Sequence, residues 1–244
     1  EKKKFTFTDY WDRYSTITIL AIMIVVFGIL RPDSFLTGSN LIKIVEQSSI
    51  TILLGLGEFF AILLGGIDLS VSSTMALSGA LTAQLMANAG MNPLLAVLIG
   101  VIIFGALIGL LNGFLVTATG LPPFIITLGT QAILRSLVYI ITDARAVSGL
   151  PASFSKVVGG KLFDVIPVPA GILTVFTAKL QCGRNLYALG GNAQSAWYAG
   201  ITVKKHTILA FCISGVCAAL AGMVNIARLA AAEPNAGTGY ETYA

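Results

Sequence analysis

Apolar runs long enough to cross a bilayer alternate with short polar breaks along almost the whole chain. The first run covers residues 14–30 and stops at Arg31-Pro32-Asp33-Ser34. Asn40 can cap a second helix, amphipathic at Leu41, Ile42, Ile44 and Val45 and apolar over 50–64. Gly65-Gly66-Ile67-Asp68-Leu69-Ser70 then interrupts it. A third helix is expected over 71–88. A fourth is expected over 94–117, bounded by Asn92-Pro93 and Gly120-Leu121-Pro122-Pro123, and a fifth over 124–141. Residues 142–167 read as a polar loop, 168–178 as a sixth apolar piece and 179–206 as a mixed polar loop. Residues 207–227 read as a seventh span and 228–244 as a tail. The pattern predicts an all-α, polytopic membrane protein whose helix breaks near 65–70.

The sixth piece is too short to span. Between Asp164 and Lys179 only residues 165–178 are uncharged. At about 1.5 Å per residue they reach roughly 21 Å, against a hydrocarbon core of about 30 Å. The expectation is that a segment is missing near 171–179.

Composition narrows the class. Of 244 residues, 56% are hydrophobic and 11% charged, less than half the charged share of about 25% in soluble domains. The formal net charge of +4 is scattered, with Lys2, Lys3 and Lys4 as the one cluster. No basic stripe for nucleic acid is present. No A-x-A site follows the first apolar run, so it does not read as a cleavable signal peptide. With the basic start in the cytoplasm, six crossings return the chain there at 179–206. That loop holds Lys179, Arg184, Lys204 and Lys205 and no acid.

Catalytic chemistry finds no support. His206 is the single histidine, which excludes a multi-histidine metal site and leaves it as an interfacial residue. Cys182, Cys212 and Cys217 have no metal or redox spacing, and the last two sit in an apolar run as packing residues. No G-x-x-x-x-G-K-[ST] phosphate loop occurs, so any ATP would be bound by another chain. No metal or cofactor is implied.

Polar residues inside apolar runs are the informative ones. Glu58 must face protein or water, because an ionised carboxylate in lipid is costly. Gln47 lies about three turns earlier, on nearly the same face. Either the two line a path or Glu58 fixes packing through hydrogen bonds. Arg135 in the fifth span stands likewise, and could pair with Glu58. Asp68 or Ser70 can cap the helix after the break, as a structural cap or as a gate or solute contact. Gly105, Gly109 and Gly113, at spacing four, form either a dimer or pore seam or an ordinary packing stripe. Gly190-Gly191-Asn192 reads as a helix-breaking turn, with Asn192 capping a short helix through Ala199. A short helix on a cytoplasmic loop suits docking into a partner's groove or serves as a connector.

Four stretches together carry a family likeness. They are Gly65-Gly66-Ile67-Asp68-Leu69-Ser70-Val71, Pro123-Phe124-Ile125-Ile126-Thr127-Leu128-Gly129-Thr130 and Gly183-Arg184-Asn185-Leu186-Tyr187-Ala188-Leu189-Gly190-Gly191-Asn192. The fourth is Ala227-Arg228-Leu229 with Gly237-Thr238-Gly239-Tyr240-Glu241. In this order they resemble the permeases of bacterial ABC importers for ribose, galactose, arabinose, xylose and allose. The resemblance implies a permease-type helix bundle in the inner membrane, residues 1–244 forming one transmembrane domain with a cytoplasmic coupling loop at 179–206. It implies no enzymatic activity in this chain. Its partners would be a cytoplasmic ATPase, a periplasmic sugar-binding protein, a second copy of the permease, and lipid. Arg184, Tyr187, Gly190, Gly191, Asn192 and Ala193 are the candidates for ATPase coupling. Glu58, Asp68, Ser70, Phe124 and Thr127 are the candidates for the translocation path or gate.

The chain also departs from that family. Ser72 stands where a glycine is usual, and the family continues past the Gly-Tyr-Glu stretch with further spans. The expected mechanism is alternating access driven through Arg184 to Ala199, with weakly polar pore residues and no tight solute site. A bulky residue at Gly191 or Asn192 is expected to abolish uptake. The alternatives are an ion-coupled secondary transporter, a membrane scaffold, or a permease for a nucleoside or autoinducer-like cargo.

Overall fold

A computed structural model describes residues 7–154, 158, 161–162, 166–167 and 181–242. They form two compact units, one up to Gln47 and one from Ser48 onward. In the first, α1 (Phe7–Leu30) is followed by the single turn α2 (Pro32–Phe35), started by Pro32 in the first helical turn. Leu36 closes on Gly28, and the Phe27 and Phe35 rings lie 5.6 Å apart. Asn40 does not cap through its own helix start. Its amide donates to the Phe35 carbonyl at 2.8 Å, and α3 (Gly38–Leu63) begins two residues before it.

The second unit holds the later part of α3 and α4 (Val71–Ala87). Next come α5 (Pro93–Leu98), a π-helical segment Ile99–Gly105, and α6 (Ala106–Thr119), which form one continuous rod. α7 (Pro123–Thr142), α8 (Gln181–Gly191), α9 (Ala193–Tyr198) and α10 (Val203–Leu229) complete it. Among the described residues five helices are long and apolar enough to cross a membrane: α1 over Arg13–Leu30, α3, the Pro93–Thr119 rod, α7 and α10. This is a polytopic helical membrane fold, as the apolar pattern predicts. The expected sixth span at 168–178, and the expected gap near 171–179, lie outside the described residues.

The third expected helix has a different character. α4 is 17 residues long and buried along almost its whole length, by small and hydroxylated residues as well as Val71, Met75 and Leu77. A helix without a polar face is a core helix. Small residues let its neighbours approach: Gly222 of α10 lies against the Met75 carbonyl, and Gly79 against Ile226.

The Gly105, Gly109 and Gly113 stripe packs inside the subunit. A methyl at Gly105 would sit 2.6 Å from Ala219 Cβ, and one at Gly113 2.7 Å from Ile208 Cα. At Gly109 it would strike the Phe211 carbonyl, and the facing Gly215 meets the Gly105 carbonyl in return. The stripe is therefore the seam between the Pro93–Thr119 rod and α10, and its residues are covered by this chain's own atoms.

The polar loop expected at 142–167 carries two short pairings. Lys161–Leu162 pairs antiparallel with Ile166–Pro167, and Val147 bridges Ala232 through bonds of 3.0 and 2.9 Å. The second bridge ties the tail after α10 back to the segment after α7.

Candidate translocation path and coupling surface

The break between α3 and α4 is held by one buried hydrogen-bond network. The Asp68 backbone N–H donates to Glu58 Oε1 at 2.7 Å. Asp68 Oδ1 accepts from the Ser70 N–H at 3.0 Å and from Ser70 Oγ at 2.6 Å. Asp68 Oδ2 accepts from Ser214 Oγ of α10 at 2.7 Å. Asn112 of α6 donates to Ser70 Oγ at 2.8 Å, and Thr130 of α7 donates to Asn112 Oδ1 at 2.7 Å. The bonds have one polarity: Thr130 to Asn112 to Ser70 to Asp68. Both Asp68 oxygens are thus engaged, Oδ1 twice and Oδ2 once. Glu58 and Asp68 are each 2% exposed, so these bonds offset a large desolvation cost. Glu58 Oε2 has no hydrogen-bond partner among the described residues.

Thr127 clamps the same break from a second side. Its hydroxyl accepts from the Leu69 N–H and lies within donating distance of the Ile67 carbonyl, both at 3.1 Å. Backbone groups freed by a broken helix are thus re-satisfied by neighbouring helices. Glu58, Asp68, Ser70 and Thr127, nominated from the sequence, come together here. Phe124 does not join them: it is 49% exposed in the first turn of α7. Asn112, Thr130 and Ser214 complete the network and were not foreseen. Each is one neutral polar residue in an apolar helix, with a partner up to 146 positions away.

Arg135 does not pair with Glu58. Its Nη1 donates to the carbonyls of Pro234 and Ala236 at 3.0 and 2.9 Å. Tyr139, one turn on, donates to Asn235 Oδ1. Together they pin the tail after α10 to α7. Gln47 is exposed while Glu58 is buried, so the expected polar stripe is not continuous in environment.

On the polar loop between α7 and α10, Asn192 does cap a short helix. Its backbone is extended (φ −160°) and its Oδ1 accepts from the Ser195 N–H at 2.8 Å. Gly190 and Gly191 do not break the chain; they are the last residues of α8, and the break falls at Asn192. Gly190 is required by contact, because a methyl there would meet the Leu63 side chain at 2.6 Å. Gly191 faces open space. Tyr187 leans on Phe59, ring centroids 5.8 Å apart, while Arg184 and Ala193 are on the surface. His206 joins the start of α10 to α8: Nδ1 lies 2.9 Å from the Thr202 carbonyl and Nε2 3.1 Å from the Asn185 amide. A proton on Nδ1 satisfies both contacts. Beyond the nominated residues, Trp197 and Tyr198 of α9 stand 62% and 72% exposed with their rings in contact.

Membrane-length helices, a core helix entered through a buried polar break, and a short capped helix on a polar loop define a polytopic helical permease. Residues 40–244 match the family described as branched-chain amino acid transport system / permease component, and the chain belongs to that family. It is 53% identical to the D-allose transport system permease protein AlsC of Escherichia coli (strain K12), over 100% of this chain and 76% of that protein. It is 37% identical to the ribose import permease protein RbsC of Bacillus subtilis (strain 168), over 99% of this chain and 76% of that protein. Identity to the galactose/methyl galactoside import permease protein MglC of Salmonella typhimurium is 30%, over 95% of this chain and 76% of that protein. No solved structure matches the chain.

Proposed function

We propose that this chain is the membrane-spanning subunit of an ATP-driven importer that carries a monosaccharide across the bacterial inner membrane. The observation that carries this is identity of 53% along its whole length to a D-allose transport permease, with ribose and galactose permeases following. The five membrane-length helices agree with it. No phosphate-loop motif occurs in the sequence, so nucleotide hydrolysis is assigned to a cytoplasmic ATPase subunit.

α8 and α9 are the proposed docking surface for that ATPase. α8 lies against the end of α3 at Gly190, and α9 presents Trp197 and Tyr198 outward. Large aromatics on an exposed short helix suit a partner's groove. Force at this surface would reach α3, and through Glu58 the α3–α4 break. The segment after Thr142 and the turn at Pro32 would face the periplasmic binding protein. Two copies would form the pore, and residues 1–244 would act as one transmembrane domain.

Reconstitution with the ATPase and binding protein tests the assignment. Uptake of labelled D-allose, D-ribose or D-galactose is expected to need ATP. Uptake in vesicles free of any nucleotide hydrolase would overturn it. In the same assay Gly190→Val is expected to uncouple hydrolysis from uptake, because α8 loses its seat on Leu63.

A further inference from the structure

An open cavity of about 680 Å³ lies against α7 at membrane depth, within the size range of small-molecule sites. Gln131, Arg135 and Tyr139 line it from α7, and Asn235, Thr238 and Glu241 line it from the tail after α10. The three α7 residues recur every fourth position, so they form one face of the helix. Arg135 is 7 residues from the Thr142 end of α7, which places it about 10 Å inside the span.

The polar groups here are incompletely used by the fold. Arg135 Nη1 holds the Pro234 and Ala236 carbonyls, and its Nη2 and Nε donors take no hydrogen bond among the described residues. Glu241 Oε1 accepts from the Gly239 N–H at 3.3 Å, and Oε2 is a buried atom with no hydrogen-bond partner among the described residues. One positive and one negative charge therefore border a single cavity without a hydrogen bond between them. An ionisable residue inside a span that faces a cavity marks a solute or ion pathway more often than plain packing.

We infer that this cavity is a transient solute site that takes a neutral polyhydroxylated molecule of monosaccharide size. The inference rests on the importer reading above. The two charges cancel, which disfavours a solute carrying net charge of either sign. Guanidinium, amide, hydroxyl and carboxylate groups together offer both donors and acceptors, which is what adjacent hydroxyls need. Tyr139 adds a flat apolar surface beside them. The wall is built from two segments, α7 and the tail, joined by Arg135 and Tyr139. A shift of the tail relative to α7 would open or close the site. The site is open and partly apolar, consistent with brief occupancy during transfer.

The test uses the full chain assembled with its ATPase and binding protein in proteoliposomes. Gln131→Leu removes one polar group from the wall and leaves the hydrogen bonds that join α7 to the tail in place. Sugar moved per ATP hydrolysed is expected to fall about fivefold, the loss of roughly one hydrogen bond to solute. ATP hydrolysis itself should stay at the unsubstituted level. In a second arm, Thr238→Cys is treated with a small thiol reagent, with and without saturating labelled D-allose, D-ribose or D-galactose. At least one sugar should slow the modification several-fold, and a charged solute of similar size should not. Unchanged coupling in Gln131→Leu together with sugar-independent labelling would overturn the site. A disulfide-linked dimer through Thr238→Cys would also overturn it, because a second copy would then fill the cavity. Failure of the unsubstituted complex to import any sugar would instead defeat the importer reading.

Discussion

Two regions of this protein place an ionisable side chain at membrane depth and treat it in opposite ways. The Asp68 carboxyl is enclosed by a network that draws side chains from α3, α6, α7 and α10 through bonds of 2.6–3.0 Å. The Arg135 guanidinium borders an open cavity, and part of its hydrogen-bonding capacity is unused. The first arrangement fixes a backbone break that lipid could not solvate. The second leaves donors and acceptors available to something that comes and goes. An ionisable group in a span thus has two physical meanings, and the state of its hydrogen bonds separates them.

The largest expected effect breaks the closed region. Asp68→Ala leaves the Ser70 N–H, Ser70 Oγ and Ser214 Oγ buried without their acceptor. At about 1–3 kcal/mol for each of the three orphaned groups, the loss is on the order of 3–9 kcal/mol, a large part of a typical folding free energy of about 5–15 kcal/mol. Little folded protein should be recovered in detergent, and what is recovered should melt well below the unsubstituted chain. Equal thermal stability would show that Asp68 is a solute contact that the fold does not need, and the contrast with Arg135 would disappear.

Thr127→Val sharpens the same region with a smaller change. The two side chains are close in volume, so the loss is confined to the hydroxyl that bridges Leu69 and Ile67. About 1 kcal/mol is expected, read as a modest fall in melting temperature in detergent. A drop as large as that of Asp68→Ala would mean that the clamp on the loop, not the carboxylate, holds the break.

How much of this was legible in the sequence follows from the same physics. Spans and breaks were readable because bilayer thickness sets a length and glycine or proline ends a run. Glu58, Asp68 and Ser70 were readable because charge beside a break in an apolar run demands a partner. The identity of the partners was not. Ser214 is 146 positions from Asp68, and one serine in an apolar helix carries no address. Arg135 was visible as a charge, but its partners are backbone carbonyls, which any residue supplies. The glycine stripe was visible as a close-contact surface, and only packing against Phe211, Gly215 and Ala219 assigned it to the inside of the subunit. Gly190 and Gly191 look alike in sequence, yet one meets Leu63 and the other meets nothing.

The smallest expected effect concerns Phe124, which shares a sequence stretch with Thr127 but not its surroundings. Residues three apart on a helix are separated by only about 60° around its axis but by about 4.5 Å along it, so neighbours in a motif can still meet different surroundings near a helix end. Here the Thr127 side chain is buried against the break while Phe124 is 49% exposed. Lipid solvates an apolar ring about as well as a protein interior does. Phe124→Ala should therefore change stability by no more than about 0.5 kcal/mol and leave uptake intact. Loss of uptake with unchanged stability would instead put the outer face of α7 against the solute path, with a second copy supplying the opposite wall.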